Sequence, residues 1–281
     1  MSRGAFLWVG YKPLFQLLRG LPRLCTLQLD EYIYGQQLDA LLTATQLTSV
    51  SVSLIGGLSR SHAERPCSWQ RLELTEVYDC TTISYLPLHS LTQPLVLYGL
   101  EITLLDDNSS VAAAVYNLTQ ACKVAVRIQR LELHMPGGHF TAQATLALLQ
   151  PLSQCCCDTV SLRCQDAAFS VEDISVLSPL CQHCTHLEFY HGSMAASTEF
   201  WCQLVQLMPN VATVTILNTE GFHSVAMCDS LLRMASQPWA RRLDIRVDAI
   251  HQPPPCWDIF APPNQSGKVS VTWPAYMLPA A

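Results

Sequence analysis

The chain has 281 residues, 49% of them hydrophobic and 14% charged, with a net charge of −6 and a pI near 5.8. That acidity argues against a general nucleic-acid binder, which needs a basic stripe to meet phosphates, and no run of about 18 apolar residues offers a membrane span. Thirteen cysteines behind a start (Met1-Ser-Arg-Gly-Ala-Phe-Leu-Trp) that makes a poor signal peptide lead us to expect reduced thiols and a cytoplasmic location.

In chain order, a first helix is expected over about Pro13–Arg19, after the short apolar stretch Ala5–Val9. An apolar-x-apolar strand pattern then begins at Leu27/Leu29. It returns at Val50/Val52, Leu72/Leu74, Leu95/Leu97, Leu131/Leu133, Val160/Leu162, Leu187/Phe189, Val214/Ile216 and Leu243/Ile245, every 22 to 36 residues. Between strands, helical spacing appears at Val111, Val115, Leu118 and Cys122, at Phe200, Leu204, Leu207 and Met208, and at Cys228, Leu231, Leu232 and Ala235. Ser170 and Asp173 form a capping box for a helix running to about Cys181. Pro22, Pro209 and Pro238 stand where a helix must stop before the next strand. The closely spaced early repeats leave room only for shorter helices. Residues 251–281 hold seven of the 17 prolines and are expected to form a Pro-rich extension, with one late strand over Val269–Trp273, beyond a solenoid spanning residues 1–250.

Columns on either side of the pattern support a repeat. Three residues upstream of the first apolar position stand Leu24, Leu47, Trp69, Ile128, Cys157, Cys184, Val211 and Ala240, with Thr92 the exception in the fourth repeat. The residue between the apolar pair is polar everywhere except Val96, again in the fourth repeat. Alternation of this kind is what a strand with one buried face requires. Self-similarity at such a period marks a solenoid in which each repeat adds one strand and one crossover.

The unit L-x-x-L-x-L resembles the leucine-rich repeat, best at Leu24–Leu29, Trp69–Leu74 and Ile128–Leu133, and the likeness covers roughly residues 5 to 248. Where that family carries Asn or Cys in the turn, this chain has Tyr32, Ile55, Val77, Pro136, Gln165, Gly192, Thr219 and Asp248. The resemblance implies an α/β solenoid (horseshoe) of about nine strand-helix repeats. It is closest in style to ribonuclease-inhibitor-like and F-box-associated proteins, with helices outside and a concave strand face as the binding surface.

Two groups of residues compete for chemistry. Cys155, Cys156, Cys157, Cys164, Cys181, His183, Cys184 and His186 include one C-x-x-C, half of a zinc site. Cys157 and Cys184 also fall in the buried column, where a thiol serves as a small hydrophobe. Core packing is therefore the expectation, with zinc as the alternative. Pro136-Gly-Gly-His139 and Gly56-Gly57 read as turns. No G-x-S-x-G, H-E-x-x-H or G-x-x-x-x-G-K sequence is present, so we expect neither an enzyme nor a cofactor.

The second group is the polar row. Its acids are Glu73, Glu132, Glu188 and Asp244. Arg71, Arg130, His186 and Arg242 stand two residues before them, and His134, Arg163, Tyr190 and Arg246 follow on the same face. By the resemblance these twelve would line the concave surface and bind a protein or peptide. One such role is substrate recognition for a ubiquitin ligase, although no F-box precedes the repeats. The rival expectations are a solvated face whose charges neutralise one another, and a structural fragment of a longer repeat protein.

Overall fold

A computed structural model describes residues 11–56, 60–78, 80–104, 109–121, 124–135, 149–164, 168–190, 193–194, 197–217, 224–238, 240–248 and 268–272. Ten strands form one sheet in which chain order is sheet order. They are β1 (Thr26–Tyr34), β2 (Ser49–Gly56), β3 (Arg71–Leu74), β4 (Leu95–Thr103), β5 (Val126–Met135), β6 (Cys156–Cys164), β8 (His186–Tyr190), β10 (Thr213–Leu217), β11 (Leu243–Asp248) and β12 (Val269–Thr272). The pairings are parallel. A second, two-stranded parallel sheet joins β7 (Ala168–Phe169) to β9 (Ser193–Met194). Parallel neighbours need a crossover, and helices supply most of them: α1 (Tyr11–Gly20) ahead of β1, α2 (Gly35–Thr43), α3 (Arg60–Ala63), α4 (Ser109–Ala121), α5 (Val171–Leu177), α6 (Thr198–Leu207) and α7 (Val225–Ala235). The alternating strand-helix architecture expected from the sequence is therefore present.

The chain divides into two compact units. The first comprises residues 1–102, 107–130 and 154–156; the second comprises 103–106, 131–153 and 157–281. In the first unit the expected columns interlock as register partners: Leu27 with Val50, Val50 with Leu72, and Leu74 with Leu97. All of these are buried. The tight early repeats use a four-residue α3 and two 3-10 turns (Cys80–Tyr85 and Leu88–Ser90), the shorter crossovers that the spacing required. The irregular fourth repeat is a regular strand. Thr92 is exposed, and Leu91, one residue earlier, fills the buried slot it leaves empty.

The missing Asn of the turn has a structural substitute in this unit. Val77 is buried; its N–H donates to the Gly99 carbonyl at 2.9 Å, and its carbonyl accepts from Glu101 N–H at 2.8 Å. With the Val77–Leu100 bridge, and with Ile33 facing Ile55, the strands bend and resume a parallel ladder. The backbone groups of Val77 are thus met by the adjacent strand β4.

The second unit is held by an aromatic chain. Phe169 meets Phe189 edge-on at 4.8 Å, Phe189 lies 6.1 Å from Phe200, and Phe200 lies 5.4 Å from Trp201. The Trp201 indole N–H donates to the Met227 sulfur at 3.1 Å. Ser170 caps α5 as the sequence predicted: its Oγ accepts from Asp173 N–H at 3.2 Å, and Asp173 Oδ2 accepts from Ser170 N–H at 2.8 Å. The helix ends sooner than expected, at Leu177, and the chain continues through turns to Cys184. Pro209 and Pro238 follow the ends of α6 and α7.

One expectation needs correction. Column residues Val160, Leu187 and Val214 lie side by side, but Val214 pairs with Ile245 instead of Leu243. Strand β11 is thus slipped by two residues against the repeat pattern. A two-residue slip keeps every side chain on its own face, so apolar alternation cannot report it. The late strand expected over Val269–Trp273 is present: β12 pairs with β11 as a tenth strand and ends at Thr272. The rest of residues 251–281, the Ala5–Val9 stretch and the Pro136–His139 turn lie outside the described residues.

Candidate functional site

The polar row is best examined one unit at a time. In the first unit Arg71 is exposed at the start of β3, and its Nε donates to Glu73 at 2.8 Å. This is the pairing across two residues that the sequence suggested. Arg130, in β5, is half-buried.

The second unit carries the denser arrangement. Arg163 on β6 reaches across to Glu132 on β5 at 2.9 Å, and its guanidinium lies 4.9 Å from the ring centre of Tyr190, its register partner on β8. Glu132 therefore has an ion-pair partner on the next strand, from a different repeat. His186 sits 3.9 Å from Glu188 and, through the same nitrogen, 2.6 Å from Thr215 Oγ1 on β10. Arg242, just before β11, approaches Asp244 at 3.4 Å, and Ser270 of β12 donates to the same carboxylate. Arg246 is exposed, and His134 is half-buried at the end of β5.

The acids do not form one continuous row. The β11 slip places Asp244 beside Thr213 and Arg246 beside Thr215, so Glu188 and Asp244 belong to different rows. Nor are the central positions uniformly open to solvent: Glu188 is only 7% exposed, and Ser161, its register partner, is fully buried. Strands in a sheet lie about 4.8 Å apart, so long neighbours shade a short one. Arg163, two residues along the same strand face from Ser161, bonds to Glu132 and stacks on Tyr190. What stays open is the periphery: Arg242 and Arg246 are exposed, and Arg163 and Tyr190 are part-exposed.

The cysteine and histidine cluster divides between two environments. Cys157, Cys181 and Cys184 are fully buried, whereas His183 is exposed and His186 bonds to Thr215. Cys184 Sγ donates to the His186 carbonyl at 2.9 Å. The Cys181 thiol is pushed well up, first by its hydrogen bond with Cys184 and then by burial. The same hydrogen bond lowers the Cys184 thiol against the opposing effect of its burial. Among the described residues no three His, Cys, Asp or Glu side chains come together as a metal would need, and the described cysteines are all free thiols.

The sequence reading passed over a further surface in the first unit. Tyr32, Tyr34, Tyr78 and Tyr98 are 52%, 64%, 55% and 38% exposed, and Tyr78 Oη donates to Glu76 at 2.5 Å. That bond, ahead of the nearby Tyr32 and Glu101, pushes the Tyr78 phenol up to about 12. The signal was present in the sequence as Tyr-x-Tyr after the first strand and Glu-x-Tyr after the third, just outside the columns that define the repeat.

No protein-family model matches the chain, and no curated protein or solved structure matches it significantly. Among the described residues, no helix is long and apolar enough to cross a membrane.

Proposed function

We propose that this chain is a non-catalytic interaction scaffold of the leucine-rich-repeat kind, which takes a protein or peptide on the polar strand face of its second unit. The observation that carries this reading is the Glu132–Arg163–Tyr190 group with the exposed Arg242 and Arg246 on the same sheet. Arg163 is fixed between a carboxylate and an aromatic ring, so little side-chain entropy remains to be lost when a partner arrives. Tyrosine and arginine held in this way are the residue types that dominate binding energy at protein interfaces. Exposed cations at the edge of the group would steer an acidic segment towards it. A role in recognising substrates for a ubiquitin ligase is one form of this proposal.

The self-neutralising alternative also has support, because Glu73, Glu188 and Asp244 each have a partner within the chain. The two readings separate in one experiment. The tagged chain and its Arg163→Ala/Tyr190→Ala/Arg242→Ala variant are used for affinity purification from cytosol, followed by mass spectrometry. Interface truncations of hot-spot residues cost on the order of 2 kcal/mol each, a loss of more than tenfold in affinity. The scaffold reading expects specific partners that disappear with the variant while circular dichroism stays unchanged. A partner list that the variant does not alter points to a face whose charges serve only one another.

A further inference from the structure

The tyrosine-bearing surface belongs to the first unit. It is built by the second ladder segment, where the strands resume after their bend. Tyr32 and Tyr34 of β1 pair with Leu54 and Gly56 of β2. Glu76 N–H donates to Ser53 at 2.8 Å, which brings the chain after β3 alongside β2. The Val77–Leu100 bridge then sets Tyr78 next to Glu101 of β4. Ile33, Val77 and Leu100 point inward and are buried. The residues between and beyond them (Tyr32, Tyr34, Glu76, Tyr78) are exposed, and Glu101 is half-exposed.

Two facts make this end of the sheet unusual. Four of the large exposed hydrophobic side chains gather here, whereas such residues on a monomer are ordinarily scattered singly. The segments that form it, 30–34 (Asp-Glu-Tyr-Ile-Tyr), 54–56 (Leu-Ile-Gly), 75–78 (Thr-Glu-Val-Tyr) and 98–102 (Tyr-Gly-Leu-Glu-Ile), contain four acids and no Lys, Arg or His. Aromatic faces and carboxylates are thus concentrated in one place, and these segments supply no cation of their own.

The same molecule shows what such a combination accommodates. In the second unit Arg163 lies against Tyr190 and bonds to Glu132. Tyr78 and Glu76 reproduce the ring and the carboxylate with no arginine in their own segments. One Glu76 oxygen accepts the Tyr78 hydroxyl, but a carboxylate offers about four acceptor positions, so a guanidinium can still be received there. Arginine suits this surface better than lysine because its planar group stacks on an aromatic ring and presents several donors to carboxylates at once. Phosphate-bearing partners are disfavoured by the local negative charge.

We propose that the C-terminal end of strands β1–β4 docks an extended, arginine-bearing segment of a partner protein, with guanidinium groups stacked on the tyrosine rings and bonded to Glu76 and Glu101.

The test is fluorescence-anisotropy titration of the full chain with a labelled peptide of four arginines spaced by Gly-Ser, against the same peptide carrying lysines. The arginine peptide is expected to bind saturably and at least about fivefold more tightly than the lysine peptide. Glu76→Gln/Glu101→Gln and, separately, Tyr32→Leu/Tyr78→Leu should each weaken it by about tenfold or more, since each removes one half of the recognition. The leucines keep apolar bulk at exposed positions, so folding should survive, as circular dichroism would verify. Glu172→Gln/Glu199→Gln removes two exposed acids from α5 and α6 and is the charge-matched control; it should leave binding within about twofold, because neither residue belongs to the segments that form the surface. The proposal is overturned by absence of saturable binding, by equal affinity for the two peptides, by tyrosine variants that bind normally, or by a control that loses as much as the Glu76/Glu101 pair.

Discussion

Burial decides what the cysteines do. Cys157 and Cys184 occupy the column that holds Leu47 and Val211 in other repeats, and all four are fully buried. A thiol in that position contributes packing as a small apolar side chain. Cys25 and Cys156, in contrast, are exposed. Brief alkylation of the native protein, read by mass spectrometry, should therefore modify Cys25 and Cys156. Cys157, Cys181 and Cys184 should be modified only after unfolding, with or without a chelator. If chelation alone opened Cys181 and Cys184 to the reagent, a bound metal would have been protecting them and the packing account would fail.

At the scale of elements, each strand of the large sheet buries between two and five side chains among the described residues. In the second unit Phe189 has the largest share of this work: it is fully buried on β8, between Phe169 of β7 and Phe200 of α6. Phe189→Ala should cost about 3–5 kcal/mol, because the transfer free energy is lost and the surrounding rings cannot close the cavity. Phe189→Leu, which keeps most of the volume, should cost less than half of that. Urea unfolding measures both, and equal costs would mean that the aromatic chain is not a packing unit.

Most of these elements were legible because a strand with one buried face writes its own alternation, and because Pro22, Pro209 and Pro238 mark helix ends. The capping box was legible for a local reason, since Ser170 and Asp173 need only each other. Long-range choices were not. The two-residue slip of β11 leaves Leu243, Ile245 and Val247 all buried, so the pattern reads the same in either register. Glu132 and His186 also take partners from neighbouring strands, Arg163 and Thr215, and a single sequence says nothing of such pairs. The tyrosine surface was missed because it lies where the strands bend, beyond the columns used to find them.

For the molecule as a whole, the decisive property is that each described strand of the large sheet pairs only with its neighbours in chain order. Contacts between elements follow the same rule, with α1 on α2 in the first unit and α5, α6 and α7 in succession in the second. Stability in such an array is close to a sum of repeat terms and nearest-neighbour terms, so a defect is felt locally before it is felt everywhere. Phe189→Ala should then raise amide hydrogen exchange in β8 and in its partners β6 and β10, with smaller changes in β11 and none in β1, β2 or β3. Leu72→Ala, at a buried position of β3, should do the reverse. Costs at two sites that share no strand partner should also add within about 0.5 kcal/mol in the double variant. Exchange that rose uniformly along the chain for either substitution would show a single cooperative body, and the solenoid description of its energetics would have to be abandoned.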